Sequence, residues 1–191
     1  MLSCGIVGLP LSGKTTLFNI VTKAGAEVKP YAGGKTDPNR AVIPVPDARF
    51  DKLSEVCHPR KATHATVEFV DLAGLSRDAS KGAGLGNSFL SFVAESAALV
   101  HVVRCFDNPD VPHSEETLDP VRDWHIVETE LILRDLSAIE NRLGKLAEKK
   151  RPTPAEATEQ ALLERCRGHL YEERPLREMA LSGEDEKALR G

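Results

Sequence analysis

The chain has 191 residues, enough for one ordinary domain or for one domain with a modest appendage. Its composition, 41% hydrophobic and 28% charged, is typical of a globular protein, and a formal net charge of −4 gives no general attraction to nucleic acid. No apolar run approaches the roughly 18 residues that a membrane helix needs, and the N-terminal apolar segment is too short for a signal peptide. We therefore expect a cytoplasmic protein with neither a membrane nor DNA as its partner.

The four cysteines lie far apart in the sequence, and no two of them form a C-x-x-C pair. They are Cys4, Cys57, Cys105 and Cys166. This spacing predicts neither a zinc site nor a disulfide scaffold, so we expect four reduced thiols.

The N-terminal segment predicts a strand, a loop and a helix in that order. Leu2–Val7 is a short apolar run that meets Gly8, and residues 14–23 show the apolar spacing of a helix. The loop between them matches the phosphate-binding pattern G-x-x-x-x-G-K-[ST] at every fixed position. The matching residues are Gly8, Leu9, Pro10, Leu11, Ser12, Gly13, Lys14 and Thr15.

Each fixed position of this loop has a physical role. The glycines let the backbone curl around phosphate oxygens, which the backbone N–H groups and the helix N-terminus attract. Lys14 adds a charge toward the β- and γ-phosphates, the Thr15 hydroxyl suits Mg²⁺, and Thr16 can donate toward the α-phosphate. The alternative is a glycine-rich turn without a ligand, which the flanking strand and helix make less favourable. The loop predicts that a nucleoside triphosphate binds here with Mg²⁺.

Further elements follow in chain order. Residues 26–40 are rich in Gly, Lys, Pro and Asp and predict an exposed irregular loop. A strand is expected at residues 41–45, then a helix with Asp47 as its N-cap, then a strand at residues 65–70.

Asp71 ends that strand and begins a D-x-x-G pattern that closes at Gly74. In phosphate-binding switch proteins such an Asp holds Mg²⁺ and the Gly N–H reaches the γ-phosphate. Alone, an Asp at a strand end is more often a cap or turn residue. The upstream loop favours the functional interpretation, and the two motifs together predict a two-point clamp.

The segment after Gly74 contains three more glycines and predicts a second flexible loop, followed by a helix near Phe92. Residues 99–103 form a nearly continuous apolar run, as in a parallel strand buried on both faces, so we expect this strand at the sheet centre. Residues 107–120 are rich in proline and acidic side chains and predict a solvent-exposed loop.

From residue 123 the pattern becomes that of a heptad seam, with apolar side chains spaced by four and three positions. The seam consists of Ile132, Leu136, Ile139, Leu143 and Leu146. Two prolines break it, and residues 155–173 then place Leu163, Cys166 and Leu170 on one face. The pattern predicts an antiparallel helical hairpin. The alternative is two ordinary helices packed on the core.

Beyond the two motifs, several segments resemble the Obg-like ATPase family of the YchF type. They are Thr15-Thr16-Leu17-Phe18-Asn19, Pro44-Val45-Pro46-Asp47, Glu68 through Leu75, Ala79 through Asn87, His101 through Phe106, Asp119-Pro120 and Thr129 through Leu133. The resemblance covers about residues 3–190 and is most specific up to Leu136. It implies a P-loop NTPase G-domain of the α/β class, with a mainly parallel sheet and an inserted α-helical coiled-coil hairpin. It also implies a preference for ATP over GTP and association with ribosomes.

The same resemblance divides the chain. We expect an incomplete nucleotide-binding G-domain over residues 1–122, the hairpin over 123–182, and the start of the return to the G-domain over 183–191. In that family the base-reading strand and a TGS domain follow the hairpin. We therefore expect a partial sheet and a piece of a longer protein, and the base preference rests on the resemblance.

Three positions depart from the family pattern. Leu11 replaces an asparagine that could help coordinate potassium, so we do not expect potassium stimulation. Lys35 stands where the magnesium-sensing threonine belongs, and Thr36 substitutes for it only after a shift of one residue. Ala83 replaces a glutamate in the second glycine-rich loop.

Hydrolysis requires a group that orients the attacking water, and the side chain of Leu75, next to the D-x-x-G pattern, cannot hydrogen-bond water. The resemblance points to a histidine in the loop after Phe106, and His113 fits that place. We therefore take Lys14 and His113 as the candidate catalytic residues. The alternative for His113 is a solvated surface side chain.

The basic cluster at the predicted hairpin tip suits ribosomal RNA, although a solvated helix end is the simpler interpretation. It consists of Lys145, Lys149, Lys150 and Arg151. The function expected overall is a slow, switch-like nucleoside triphosphatase. A nucleotide-dependent binding module with little turnover is the second hypothesis, and a small-molecule kinase, which the D-x-x-G pattern disfavours, is the third.

Overall fold

The computed structural model describes residues 2–23, 25, 38–71, 92–93, 95–149, 151 and 153–189. The chain divides into two compact units, Met1–Trp124 and His125–Gly191. The two predicted glycine-rich loops fall largely outside the described residues, and so do Lys35, Thr36, Gly74, Leu75 and Ala83.

The first unit is built on a four-stranded sheet with the order β2-β3-β1-β4. Its strands are β1 (Leu2–Val7), β2 (Asn39–Pro44), β3 (Thr66–Asp71) and β4 (Ala98–His101). β1 pairs in parallel with both β3 and β4, whereas β2 is antiparallel to β3. Ile6 and Val7 of β1 are almost completely buried, as expected of a strand with neighbours on both sides. The predicted α/β class with a mainly parallel sheet is confirmed.

The prediction that the apolar strand near residue 100 lies at the sheet centre is wrong for the described sheet. β4 is its edge strand and pairs with β1 alone among the described strands. Leu99 is accordingly 37% exposed. The apolar composition indicated that both faces of β4 are buried. The number of strands that pair with β4 depends on chain topology, which composition does not specify.

Two helices of the first unit follow their sequence signals. α1 (Lys14–Thr22) begins directly after Gly13. α2 (Ala48–Cys57) is capped by Asp47, whose carboxylate accepts the backbone N–H of Arg49 at 3.0 Å. The predicted cap is therefore confirmed.

Two long helices, α3 (Pro120–Ala147) and α4 (Pro154–Tyr171), make up most of the second unit, and the start of α3, up to Trp124, belongs to the first unit. A 3₁₀ turn (Leu176–Glu178) and a short helix, α5 (Gly183–Leu189), follow. α3 begins three residues before the predicted start, because the Asp119 carboxylate accepts the N–H groups of Val121 and Arg122 and caps the helix. α4 opens with a capping box between Thr153 and Glu156.

α3 and α4 share one apolar core, whose buried members come from both helices. They are Ile132, Ile139, Leu143, Leu146, Leu162, Leu163, Cys166 and Leu170. Side-chain hydrogen bonds join Glu140 of α3 to Tyr171 of α4, and Arg142 of α3 to Glu159 of α4. The later residue of α3 is thus paired with the earlier residue of α4. The helices therefore run antiparallel, as the hairpin prediction requires, and the predicted seam lies in their shared core. Within the described residues, no helix is long and apolar enough to cross a membrane.

The hairpin core gives a test of stability with an internal control. Leu143 is 7% exposed in this core, whereas Leu133 on the same helix is 51% exposed. We expect Leu143→Ala to lower the free energy of unfolding by about 2–5 kcal/mol, because truncation removes buried apolar surface and leaves a cavity. Leu133→Ala should change it by less than about 0.5 kcal/mol. Urea unfolding followed by far-UV circular dichroism compares the two, and equal midpoints would contradict the shared core.

Candidate functional site

The loop between β1 and α1 takes a backbone shape that two of its glycines permit. Gly8 has φ 149°, and a Cβ placed on it would lie 2.2 Å from the carbonyl oxygen of Val102. Gly13 has φ 100° and stands at the N-cap of α1. Both conformations disfavour side chains, so the pattern glycines predicted from the sequence are required by the fold. The backbone therefore turns sharply between the end of β1 and the helix.

Leu11 occupies the left-handed region in this loop, with φ 61°. For a residue with a Cβ this conformation costs roughly 1–2 kcal/mol, whereas glycine and asparagine adopt it more readily. Leu11 is the position at which the family resemblance expects asparagine. The loop thus carries local strain that the rest of the fold must offset.

Lys14 is almost completely buried, with 6% of its surface exposed. Its Nζ donates to the carbonyl oxygens of Gly8 at 3.0 Å and Leu9 at 2.6 Å. Burial lowers the pKa of the Lys14 ammonium to about 8, and the nearby Asp71 carboxylate acts in the opposite direction. The charge that the motif assigns to Lys14 is therefore present near neutral pH and is lost at moderately alkaline pH.

Asp71 is the counterpart of Lys14 and is 1% exposed. Its Oδ2 accepts the Thr15 hydroxyl at 2.7 Å and the Asn39 amide at 3.3 Å. Its Oδ1 is buried and has no hydrogen-bond partner within the described part of the chain, and the same holds for Oγ of Ser12. The structure therefore brings Thr15 and Asp71 together, as the two motifs predict, and leaves one acceptor and one hydroxyl for a ligand.

The other predicted residues of this site are less informative. Leu9 is buried, Pro10 lies on the turn, and Thr16 is exposed in the first turn of α1. Thr36 and Gly74 lie outside the described residues. Sequence reasoning missed Asn39, although its register opposite Asp71 in the β2–β3 pair places it there. The expected strand begins at residue 41, so the sequence pattern gave no signal for Asn39, which the structure places at the start of β2.

His113 is not the solvated surface side chain that one of its sequence interpretations expects. Its side chain is only 8% exposed, so the solvated-surface alternative is wrong. Nε2 lies 2.8 Å from Oδ2 of Asp123, and Nδ1 accepts the backbone N–H of Glu115 at 3.0 Å. Nδ1 is therefore hydrogen-bonded, whereas Nε2 has a close contact with a carboxylate oxygen that makes no hydrogen bond within the described residues.

Arg104 organises the loop that carries His113, and sequence reasoning missed it. The side chain is buried, and its guanidinium donates to four backbone carbonyl oxygens of the loop. They belong to Phe106 (3.1 Å), Asn108 (3.5 Å), Val111 (2.8 Å) and Pro112 (3.2 Å). The guanidinium also lies 4.8 Å from the Phe106 ring centroid, a cation–π distance. The Arg104 side chain thus fixes the backbone of the predicted exposed loop as far as Pro112, the residue before His113.

The basic residues predicted at the hairpin tip are exposed where the structure describes them, and Lys150 lies outside that part. Lys149 forms an ion pair with Glu156. Because Glu156 also completes the capping box of α4, Lys149 is linked to the start of that helix.

Comparisons with known proteins agree with this geometry. The family described as "50S ribosome-binding GTPase" matches residues 3–151. The ribosome-binding ATPase YchF of Escherichia coli O157:H7 is 43% identical over 188 residues, which is 98% of this chain and 52% of the relative. The protein of the same name from Bacillus subtilis is 38% identical over 190 residues, or 99% of this chain and 52% of the relative.

A solved structure, that of the Schizosaccharomyces pombe YchF GTPase, matches with a TM-score of 0.78 and 36% identity. The match covers 99% of this chain and 52% of that one. The chain therefore spans about half the length of the curated relatives and of the solved structure that it matches.

The buried ammonium of Lys14 predicts how nucleotide binding depends on pH. Only the protonated form attracts phosphate, and its pKa is about 8 in the protein without ligand. We expect ATP affinity to be constant below this value and to fall by up to about tenfold per unit as pH rises toward about 9.5. The arginine in Lys14→Arg stays charged over that range. The ATP affinity of this variant, even if lower, should therefore not vary with pH. Calorimetric titration at several pH values would contradict the prediction if both proteins gave the same profile.

Proposed function

This chain belongs to the family of 50S ribosome-binding GTPases, and from that premise we propose that it is a Mg²⁺-dependent nucleoside triphosphatase that hydrolyses ATP slowly as a conformational switch. The observation that carries the proposal is that Ser12 Oγ and Asp71 Oδ1, near the buried Lys14 ammonium, are two of the four buried side-chain atoms without a hydrogen-bond partner in the described part of the chain. Buried polar groups are costly unless they are bonded. Phosphate oxygens and a metal are the partners that these three groups suit together.

The residues present fit Mg²⁺. Thr15 and Asp71 offer a hydroxyl and a carboxylate, the hard oxygen donors that this ion takes, and Asp71 Oδ1 is available for it. Among the described residues, no cluster of three or more His, Cys, Asp or Glu side chains could hold a metal. The protein would therefore hold Mg²⁺ through Thr15 and Asp71, jointly with the phosphates. When bound, the ion would withdraw charge from the phosphate oxygens.

Lys14 would act on the β- and γ-phosphates. Its Nζ now donates to the Gly8 and Leu9 carbonyl oxygens, which hold the charged group at the loop. Phosphate oxygens are stronger acceptors than these carbonyls because their bonds to an ammonium are charge-assisted on both sides. The geometry supports a loop whose positive group is already in place before the ligand arrives.

ATP as the preferred nucleotide is the less direct part of the proposal. The bacterial relatives are named ATPases, whereas the structurally matched S. pombe protein is called a GTPase. In this proposal residues 1–122 form the nucleotide-binding part, residues 123–182 the hairpin, and residues 183–191 the return to the first part. A cytoplasmic location follows from the proposed ribosomal partner.

For water activation we propose His113, because Leu75 cannot hydrogen-bond water and Arg104 fixes the chain up to the residue before His113. The second candidate function, a binding module with little turnover, is favoured by a specific observation. Nδ1 of His113 already accepts the N–H of Glu115, and the Asp123 carboxylate lies 2.8 Å from Nε2. Hydrolysis is consequently expected to be slow, and its rate separates the two functions.

Phosphate release under single-turnover conditions tests the proposal. With protein and Mg²⁺ in excess over ATP, we expect release that His113→Ala slows by about 10²-fold or more, a typical effect for a group that positions the reacting water. Equal ATP affinity of the two proteins is the control that excludes a binding defect, and GTP in the same assay measures base preference. No release from the unchanged protein would favour the binding module, and an unchanged rate in His113→Ala would exclude that residue.

Contact with ribosomal RNA through the hairpin tip is the proposed role of its basic residues. Lys145 and Arg151 are exposed, and their substitution leaves the Lys149–Glu156 pair and the α4 capping box untouched. Basic groups near an RNA backbone gain free energy by releasing counterions. The family description and the names of the bacterial relatives, both of which state ribosome binding, support this assignment.

Ribosome co-sedimentation measures this contact. We expect Lys145→Glu with Arg151→Glu to reduce binding by at least about tenfold at low salt, with a smaller difference at high salt. A double charge reversal of the same size at Arg60 and Lys61, in an exposed loop of the first unit, is the matched control. Equal binding by both variants would place the contact elsewhere.

A further inference from the structure

His113 and Asp123 form a buried pair that the proposed chemistry does not explain. Their side chains are 8% and 3% exposed, and Nε2 lies 2.8 Å from Oδ2. The other carboxylate oxygen, Oδ1, accepts Nε and Nη2 of Arg122 at 3.1 and 2.8 Å. Arg122 in turn donates to the hydroxyl and the carbonyl oxygen of Thr117. The carboxylate is thus fixed in orientation on one side and faces the imidazole on the other.

The hydrogen bond to Nδ1 defines the state of the His113 ring. Nδ1 accepts the N–H of Glu115 and therefore carries a lone pair, which leaves the ring proton on Nε2. Nε2 lies 2.8 Å from Asp123 Oδ2, a close contact in which that oxygen makes no hydrogen bond within the described residues. A histidine that orients water must offer that water a free lone pair or a free N–H group. In this arrangement Nδ1 is bonded to Glu115, and the Asp123 carboxylate covers the Nε2 side of the ring, so one of the two contacts has to break before His113 can act.

The two contacts differ in how firmly they are tied to the fold. Glu115 is two residues from His113, and its N–H can move together with the turn that carries the ring. Asp123 belongs to α3, whose first turn is held by the Asp119 cap and by Pro120 at the helix start. On the other side, Arg104 fixes the chain as far as Pro112. His113 therefore lies between two fixed points, and the contact to Asp123 is the one that a rotation of its side chain breaks.

We infer that Asp123 is a positioning residue that holds His113 away from the reaction, and that breaking this contact permits hydrolysis. The inference rests on the proposed function of His113 and adds a regulatory step to it. Because Asp123 lies in the first turn of α3, the structure of that helix start sets how readily His113 is released. The opposite arrangement, in which Asp123 assists His113 as a catalytic dyad, predicts an effect of opposite sign.

Asp123→Asn tests the inference because it keeps the shape of the side chain and removes its charge. Loss of the charge lowers the electrostatic attraction between this side chain and the imidazole, so the contact weakens without leaving a cavity. We expect single-turnover ATP hydrolysis to rise by about threefold to tenfold with unchanged ATP affinity. Asp119→Asn is the matched control, since it removes the same charge from the same helix start, retains a good cap residue and does not touch His113.

A second measurement reports the contact without activity. Imidazole ¹⁵N resonances of His113 should show a proton on Nε2 and a lone pair on Nδ1 in the unchanged protein and in Asp119→Asn. In Asp123→Asn they should move toward the values of a free ring. A proton on Nδ1 in the unchanged protein would overturn the inference.

The kinetic outcomes separate this inference from the proposed function. If His113→Ala hydrolyses ATP at the unchanged rate, the proposed role of His113 fails, and the inference fails with it. If His113→Ala is slow but Asp123→Asn is equal to or slower than the unchanged protein, only the inference is overturned. A gain in Asp123→Asn that disappears in the double variant with His113→Ala supports it.

Discussion

The structure around the phosphate-binding loop depends on the burial of two opposite charges, those of Lys14 and Asp71. Removing an ion from water costs several kcal/mol even after the protein relaxes, so each group needs partners. Lys14 has the carbonyl oxygens of Gly8 and Leu9, and Asp71 has Thr15 and Asn39. These partners are available because β1 and β3 are parallel neighbours, whose carboxyl ends therefore meet at one edge of the sheet.

A second constraint is the close approach of the chain at Gly8, where the backbone after β4 leaves no room for a Cβ. Together with the left-handed Leu11, it makes the loop unfavourable in isolation, and the packed residues of β1 and α1 below it must offset that cost. The resulting rigidity suits a site that binds a highly charged ligand, because donors that are already oriented lose little entropy when it binds.

The two polar networks of the first unit differ in an instructive way. At Asp71 and Ser12, buried polar atoms remain without partners in the described chain, which is the condition for ligand binding. Around His113, Nδ1 accepts a backbone N–H, and Arg104 and Arg122 secure the surrounding loop. Nε2 lies against Asp123 Oδ2, which also has no hydrogen-bond partner among the described residues. An open phosphate loop together with a histidine in contact with Asp123 is the arrangement that the proposed slow, switch-like hydrolysis requires.

The sequence by itself determined the features that are encoded in local patterns: the strand, loop and helix around Lys14, the Asp47 cap and the heptad seam of the hairpin. The family resemblance, confirmed by the comparisons, rests on the same short motifs. The tertiary structure alone decided that β4 is an edge strand, that Asn39 reaches Asp71, and that Arg104 and Asp123 control the environment of His113. The physical reason is that these outcomes depend on which strands become neighbours and on side-chain directions across distant segments. Residue type and spacing along the chain specify neither.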